Sequence, residues 1–126
     1  NTQEQIQHRL HSVLSDCNQR LLLSEAHGVV VGLAALICFP YFHDGEQLAR
    51  LSSLVVEQRS RGLGIGKHLL AAAEQWARTK NCERLELTTS TRRIDAHRFY
   101  ERENYVFSAR RYVKDMSSNA VNGCLI

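Results

Sequence analysis

The chain has 126 residues, an apolar share of 44% and a charged share of 23%, which fits one globular domain and excludes a low-complexity polymer. Its formal net charge is only +3, and its basic residues are dispersed with no basic face interleaved by aromatics, so no nucleic-acid surface is expected. No apolar run approaches the roughly 18 residues of a membrane span. Cys17, Cys38, Cys82 and Cys124 form no C-x-x-C and the histidines form no H-x-x-x-H, a spacing that argues against a metal site and for reduced thiols in a cytoplasmic compartment.

Thr2 to Leu14 is predicted as a helix, because Ile6, Leu10, Val13 and Leu14 fall on one stripe, and Thr2 and Gln5 have the spacing of a capping box. Arg20 to Ala26 and Val29 to Phe39 read as strands joined at His27-Gly28, a two-residue loop that favours a hairpin. Gly32 inside the second strand suggests a bulge or a close packing contact. Pro40 to Gln47 reads as a loop with a turn signal at Asp44-Gly45. Leu48 to Val56 is the next strand, Lys67 to Lys80 a helix, Glu83 to Thr88 a strand and Arg92 to Glu103 a helix. Tyr105 to Phe107 and Arg110 to Val113 are expected to close the sheet as two further strands. Strand, helix, strand from Leu48 to Thr88 implies a parallel crossover beside the antiparallel hairpin. The fold class is therefore α/β, with a mixed, mostly antiparallel sheet, a central parallel pair and helices on both faces.

The chemistry concentrates between the strand ending at Val56 and the helix after it. Arg61-Gly62-Leu63-Gly64-Ile65-Gly66-Lys67 puts three glycines at alternate positions in a strand-to-helix turn. Glycine allows positive φ and close approach of a ligand to the backbone, and the first amides of a helix point outward at its positive end. Such a turn suits an anion, most often phosphate, with Arg61 as a fixed cation beside it. The run fails the Walker pattern, since His68 follows Lys67, and fails G-x-G-x-x-G from either starting glycine.

What fits is R-x-x-G-x-G, carried by Arg61, Gly64 and Gly66, which resembles the acyl-CoA signature of the GCN5-related N-acetyltransferases. A second stretch, Ala96, Phe99, Tyr100, Glu101 and Tyr105, resembles that family's final helix motif. The form Arg93, Asp95, Ala96, His97, Arg98, Phe99, Tyr100 is similar to the aminoalkylphosphonate N-acetyltransferases. The resemblance covers roughly Arg20 to Lys114. It implies an opening strand and helix that are absent here, so residues 1–116 are expected as one N-terminally incomplete domain and 117–126 as a tail. The start at Asn1 without Met agrees with that expectation. Two departures stand out: Arg93 replaces a common Asn, and Asn104 replaces the Gly that usually follows the last helix.

The resemblance implies an enzyme that moves acetyl from acetyl-CoA, its co-substrate, directly to the primary amine of a small molecule. The amides from Gly62 to Lys67, with Arg61, would grip the pyrophosphate. The backbone of Leu54, Val55 and Val56 would pair with pantetheine as an added strand. A backbone N–H near Leu54 or Val55 would stabilise the oxyanion. Tyr100 matches the family's general acid, and a phenol that titrates near 10 keeps its proton at neutral pH. Where relatives often carry a base on the strand, this chain has Ser52 and Ser53, which leaves His43, Asp44 and Glu46 of the preceding loop as base or substrate candidates, with Ser53 beside the substrate. His97 either orients the substrate or packs. A protein or peptide acetyltransferase and a non-catalytic acyl-CoA-binding module are the alternative readings. The apolar end of the tail, Cys124 to Ile126, either packs across a homodimer or is disordered.

Overall fold

In the computed structural model, which describes residues 2–41 and 46–117, the chain opens with helix α1, Gln3–Ser15. The Thr2 hydroxyl accepts the Gln5 amide at 3.2 Å and the Thr2 amide donates to Gln5 Oε1 at 2.9 Å, the reciprocal capping that the spacing predicts. Strands β1 (Gln19–Ala26), β2 (Val29–Tyr41) and β3 (Glu46–Val56) follow, then helix α2 (Ile65–Thr79), strand β4 (Arg84–Leu87) and helix α3 (Ile94–Arg102). By contacts the chain divides into two compact units, Asn1–Arg93 and Ile94–Ile126.

The strands form one mixed sheet in the order β1-β2-β3-β4, antiparallel at the first two pairings and parallel between β3 and β4. The β1–β2 hairpin turns on His27 and Gly28, both at positive φ (54° and 77°), as a two-residue hairpin loop requires. The expected loop from Pro40 to Gln47 is shorter than the sequence suggests. Strand pairing continues through Tyr41 and resumes at Glu46, because Pro40 and Gln47 still sit opposite each other in register.

α2 lies on β2 and β3 and forms the core with them: Leu69, Leu70, Ala73, Trp76 and Ala77 are buried, as are Val31, Ala34, Leu36, Cys38, Leu48, Ala49 and Leu51 of the sheet. Gly32 makes that approach possible. A Cβ there would lie 3.0 Å from Leu69 Cδ1, 3.1 Å from Ile65 Cγ2 and 3.2 Å from the Val55 carbonyl oxygen. The sequence offered a bulge or a close contact at Gly32, and both occur: the β1–β2 register also shifts beside it, between Ser24 and Glu25. α2 ends at Asn81 (φ 59°), and the Cys82 amide reaches back to the Ala77 carbonyl at 2.9 Å. α3 ends in the same way at Asn104 (φ 70°), with the Tyr105 amide on the Tyr100 carbonyl at 2.9 Å, so Asn serves as the left-handed cap where a Gly is more usual.

The two closing strands expected at Tyr105–Phe107 and Arg110–Val113 do not form; both stretches are irregular. A run of β-prone residues alone does not make a strand, which needs a ladder partner. Ser108-Ala109 between them also lacks a residue suited to the positive φ of a tight hairpin. Among the described residues β4 is therefore the last strand of the sheet, and the parallel pair lies at that edge. The tail expected beyond residue 117 lies outside the described residues.

Candidate functional site

The site is built from the end of β3. The Glu57 amide donates to the Val31 carbonyl at 2.7 Å, so the peptide group of Glu57 faces β2. At the other end of β3 the Gln47 carbonyl accepts the Glu83 amide at 3.0 Å and so faces β4. Peptide groups alternate between the two sides along a strand, so Ala49 and Leu51 face β4 as well. The alternation then slips. Ala35 pairs with Ser53 and Leu36 with Leu51, leaving Ser52 as an extra residue whose hydroxyl donates to the Ala35 carbonyl at 3.1 Å. Beyond this bulge Ser53 and Val55 face β2, while the peptides of Leu54 and Val56 face outward. The β3–β4 ladder has already ended at Leu51–Leu87. β3 thus parts from β4 and presents Leu54 and Val56 as strand edge with no rung beside them.

The turn continues that edge. A single 3-10 turn, Gln58–Ser60, leads to Arg61, whose Nε donates to the Val56 carbonyl at 3.3 Å. Gly62 (φ 81°) and Gly64 (φ 83°) hold the left-handed conformation, and Gly64 is the N-cap of α2 with no side chain over the helix end. An added Cβ at Gly62 or Gly64 would meet nothing within 4 Å, so both glycines border open space. The first helical bond is His68 amide to Gly64 carbonyl at 3.0 Å, which leaves the amides of Ile65, Gly66 and Lys67 in the unbonded first turn. Arg59, Arg61, Leu63 and Lys67 are exposed around it. Outward strand-edge peptides, an open glycine cradle, free helix amides and three cations in succession fit an extended ligand that carries phosphates.

The other sequence candidates fall elsewhere. Glu46 is the first residue of β3, and Leu54 is the ninth; at about 3.3 Å per residue they are roughly 25 Å apart along the strand. Glu46 is in an ion pair with Arg84 Nη2 at 2.9 Å. That pair and the length of β3 hold it far from the Leu54 end of the strand. His43 and Asp44 lie outside the described residues. Ser53 is exposed and immediately precedes Leu54. Tyr100 and His97 belong to α3 in the second unit and are half-buried. The Tyr100 ring packs edge-on against Phe99 (centroids 5.1 Å apart) and Tyr105 (5.9 Å).

Two groupings were not legible in the sequence. One is a cross-strand pair on the sheet edge, in which Arg50 Nε donates to Glu86 Oε1 at 2.8 Å. The signal for it was weak: complementary charges on two strands whose register the sequence does not give. The other brings Cys38 and Cys82 within hydrogen-bonding reach; burial pushes the Cys82 thiol up, and the Cys38 thiol adds to the shift. Among the described residues no group of three or more His, Cys, Asp or Glu is placed to hold a metal, and no helix is long and apolar enough to cross a membrane.

The model of the acetyltransferase (GNAT) family matches residues 2–105. An aminoalkylphosphonate N-acetyltransferase of Salmonella typhimurium is 41% identical over 101 residues, which cover 80% of this chain and 66% of that protein, so the chain spans a little under two thirds of that relative. Among solved structures, a transcriptional regulator from Bacillus halodurans superposes with a TM-score of 0.84 at 25% identity, over 90% of this chain and 76% of that one. An aminoglycoside N-acetyltransferase in complex with CoA superposes with a TM-score of 0.80 at 18% identity, over 89% and 86% of the two chains, and supports the fold alone.

Proposed function

The chain belongs to the GNAT family of acetyltransferases, and on that premise we propose that it is an acetyl-CoA-dependent N-acetyltransferase acting directly on the primary amine of a small molecule. The observation that carries the proposal is the β3 edge at Leu54 and Val56, beyond the last β4 rung, leading through one 3-10 turn into the open Gly62–Gly64 cradle. Acetyl-CoA supplies the activated acetyl thioester when bound. The Gly62 to Lys67 amides and the Arg61 guanidinium would hold its pyrophosphate, and the outward peptides of Leu54 and Val56 would pair with its pantetheine arm as an added strand.

The outward Leu54 N–H is the donor for negative charge that develops on the thioester oxygen. It comes from a backbone held by the bulge and the β2 ladder, so it is aimed before the substrate arrives. Tyr100 is the proposed proton donor to the departing thiolate, on the strength of its motif and its phenol chemistry. Identity with the Salmonella enzyme supports aminoalkylphosphonates as the acceptor class. The family match from residue 2 to 105 runs through both compact units, which supports reading them as one acetyltransferase domain.

The test is acetyl-CoA turnover with a panel of aminoalkylphosphonates, polyamines, aminoglycosides and a lysine peptide, with products identified by mass spectrometry. Thiol release matched by acetylation of a small amine is the expected result. Acetylation of the peptide alone would replace the small-molecule reading, and binding without release from any amine would replace the enzymatic one.

A further inference from the structure

We propose that Glu86 binds the acceptor: one of its carboxylate oxygens receives the ammonium of the amine, and Arg50 is the residue that positions it. The inference rests on the acetyltransferase reading above and deepens it by assigning the acceptor side of the site.

The last rung of the parallel pair is Leu51–Leu87, and the rung before it is Arg50–Glu86. Glu86 therefore stands one residue short of the point where β3 and β4 part. It also lies on the face of the sheet turned away from α2. Gly32 marks the face covered by α2, and Ala34, Leu36 and Cys38 follow it at alternate positions; Ile37, and Arg50 opposite it, point to the other face. The register carries Glu86 to that same face. Arg50 and Leu54 are four residues apart, about 13 Å along an extended strand and less across the bulge at Ser52. A small amine and an acetyl thioester together fill that span.

The pair itself is unusual for a surface salt bridge. An ordinary exposed pair is weak because two long side chains must be held in one geometry. Here the Arg50 guanidinium lies over the Phe39 ring, 5.0 Å from its centroid, which fixes one partner before the other is counted. Arg50 Nε and Nη2 then both donate to the same oxygen, Glu86 Oε1. That differs from the two-oxygen fork that arginine and carboxylate usually make. Oε2 receives no hydrogen bond from any described residue, and the Glu86 side chain is 42% exposed. One oxygen is locked and the other is open at the fork of the strands. An ammonium donates N–H groups and carries the opposite charge, so it is the complement of such a receptor.

The experiment compares wild-type protein with Glu86→Gln, using aminoethylphosphonate as acceptor and acetyl-CoA as donor. Glutamine keeps the shape and removes the charge. The expected result is a KM for the amine raised about tenfold or more, with the KM for acetyl-CoA unchanged. Glu86→Asp should recover part of the loss. Arg50→Gln should raise the amine KM by a smaller factor, and Arg50→Lys should restore part of it. An unchanged amine KM in Glu86→Gln, or an equal rise in both KM values, overturns the assignment while leaving the acetyltransferase reading intact. A wild-type protein that binds acetyl-CoA but acetylates no amine overturns that reading and this inference with it.

Discussion

Replacing Gly32 with alanine probes how the sheet seats the helix that carries the anion-binding turn. The added methyl would lie 3.0 Å from Leu69 Cδ1, 3.1 Å from Ile65 Cγ2 and 3.2 Å from the Val55 oxygen. The Leu69 terminus could rotate away, but the Val55 oxygen is backbone and Ile65 is the first residue of α2. Overpacking of this kind costs about 1–3 kcal/mol. Loss of glycine from the unfolded chain returns about 0.4–1 kcal/mol. The middle of each range leaves a net destabilisation of about 1.3 kcal/mol, visible as a lower urea midpoint at unchanged slope. The displaced helix start should weaken acetyl-CoA binding at the same time, because Ile65 follows Gly64 directly. Gly28→Ala is the control. Unlike Gly32 it sits at positive φ (77°), but nothing lies within 4 Å of an added Cβ and it belongs to the hairpin loop, away from the α2 contact. It should cost about 1 kcal/mol of backbone strain with no change in affinity. A Gly32→Ala protein within about 0.5 kcal/mol of wild type would show that α2 does not rest on Gly32, and the seating argument would fail.

Gly64→Val should reduce acetyl-CoA affinity at least tenfold, since a β-branched residue resists φ 83° and its side chain would enter the open cradle; calorimetry reads the loss directly. Tyr100→Phe should lower kcat by about 10²-fold or more with little change in acetyl-CoA affinity; equal turnover would remove the acid role. Cys82 should alkylate more slowly than exposed Cys17 at neutral pH, as peptide mapping after iodoacetamide would show, because burial and then the neighbouring Cys38 raise its thiol above the ordinary 9.0. A thiol raised on folding contributes stability that is present below its unfolded value and lost as pH rises through its folded one. Denaturation midpoints should therefore fall above about pH 9 in wild type, and less in Cys82→Ser.

Local patterns carried most of the fold. The Thr2–Gln5 cap, the His27-Gly28 hairpin and the apolar stripe of α2 are short-range signals, and each appears where its residues place it. The glycine turn was legible for the same reason: Gly62 and Gly64 occupy conformations that few other residues tolerate. Pairing information was harder to see. Nothing in the residues of Tyr105–Val113 says whether a partner strand is available, and no strand forms there. The bulge at Ser52, which turns the Leu54 peptide outward, depends on the opposite strand and leaves no mark in composition. Glu46 reads as part of a loop in the sequence; its incorporation into β3 places it at the far end of the strand from Leu54. Arg50 and Glu86 are 36 residues apart and meet only through the parallel register.

The central claim is that the β3 edge and the Gly62–Gly64 turn together hold acetyl-CoA. Calorimetric titration of the wild-type chain with acetyl-CoA tests it most directly, with Gly64→Val titrated alongside. Saturable binding at one site per chain, lost in the variant, is the predicted result. Absence of binding to wild type, or binding that Gly64→Val leaves untouched, would contradict it.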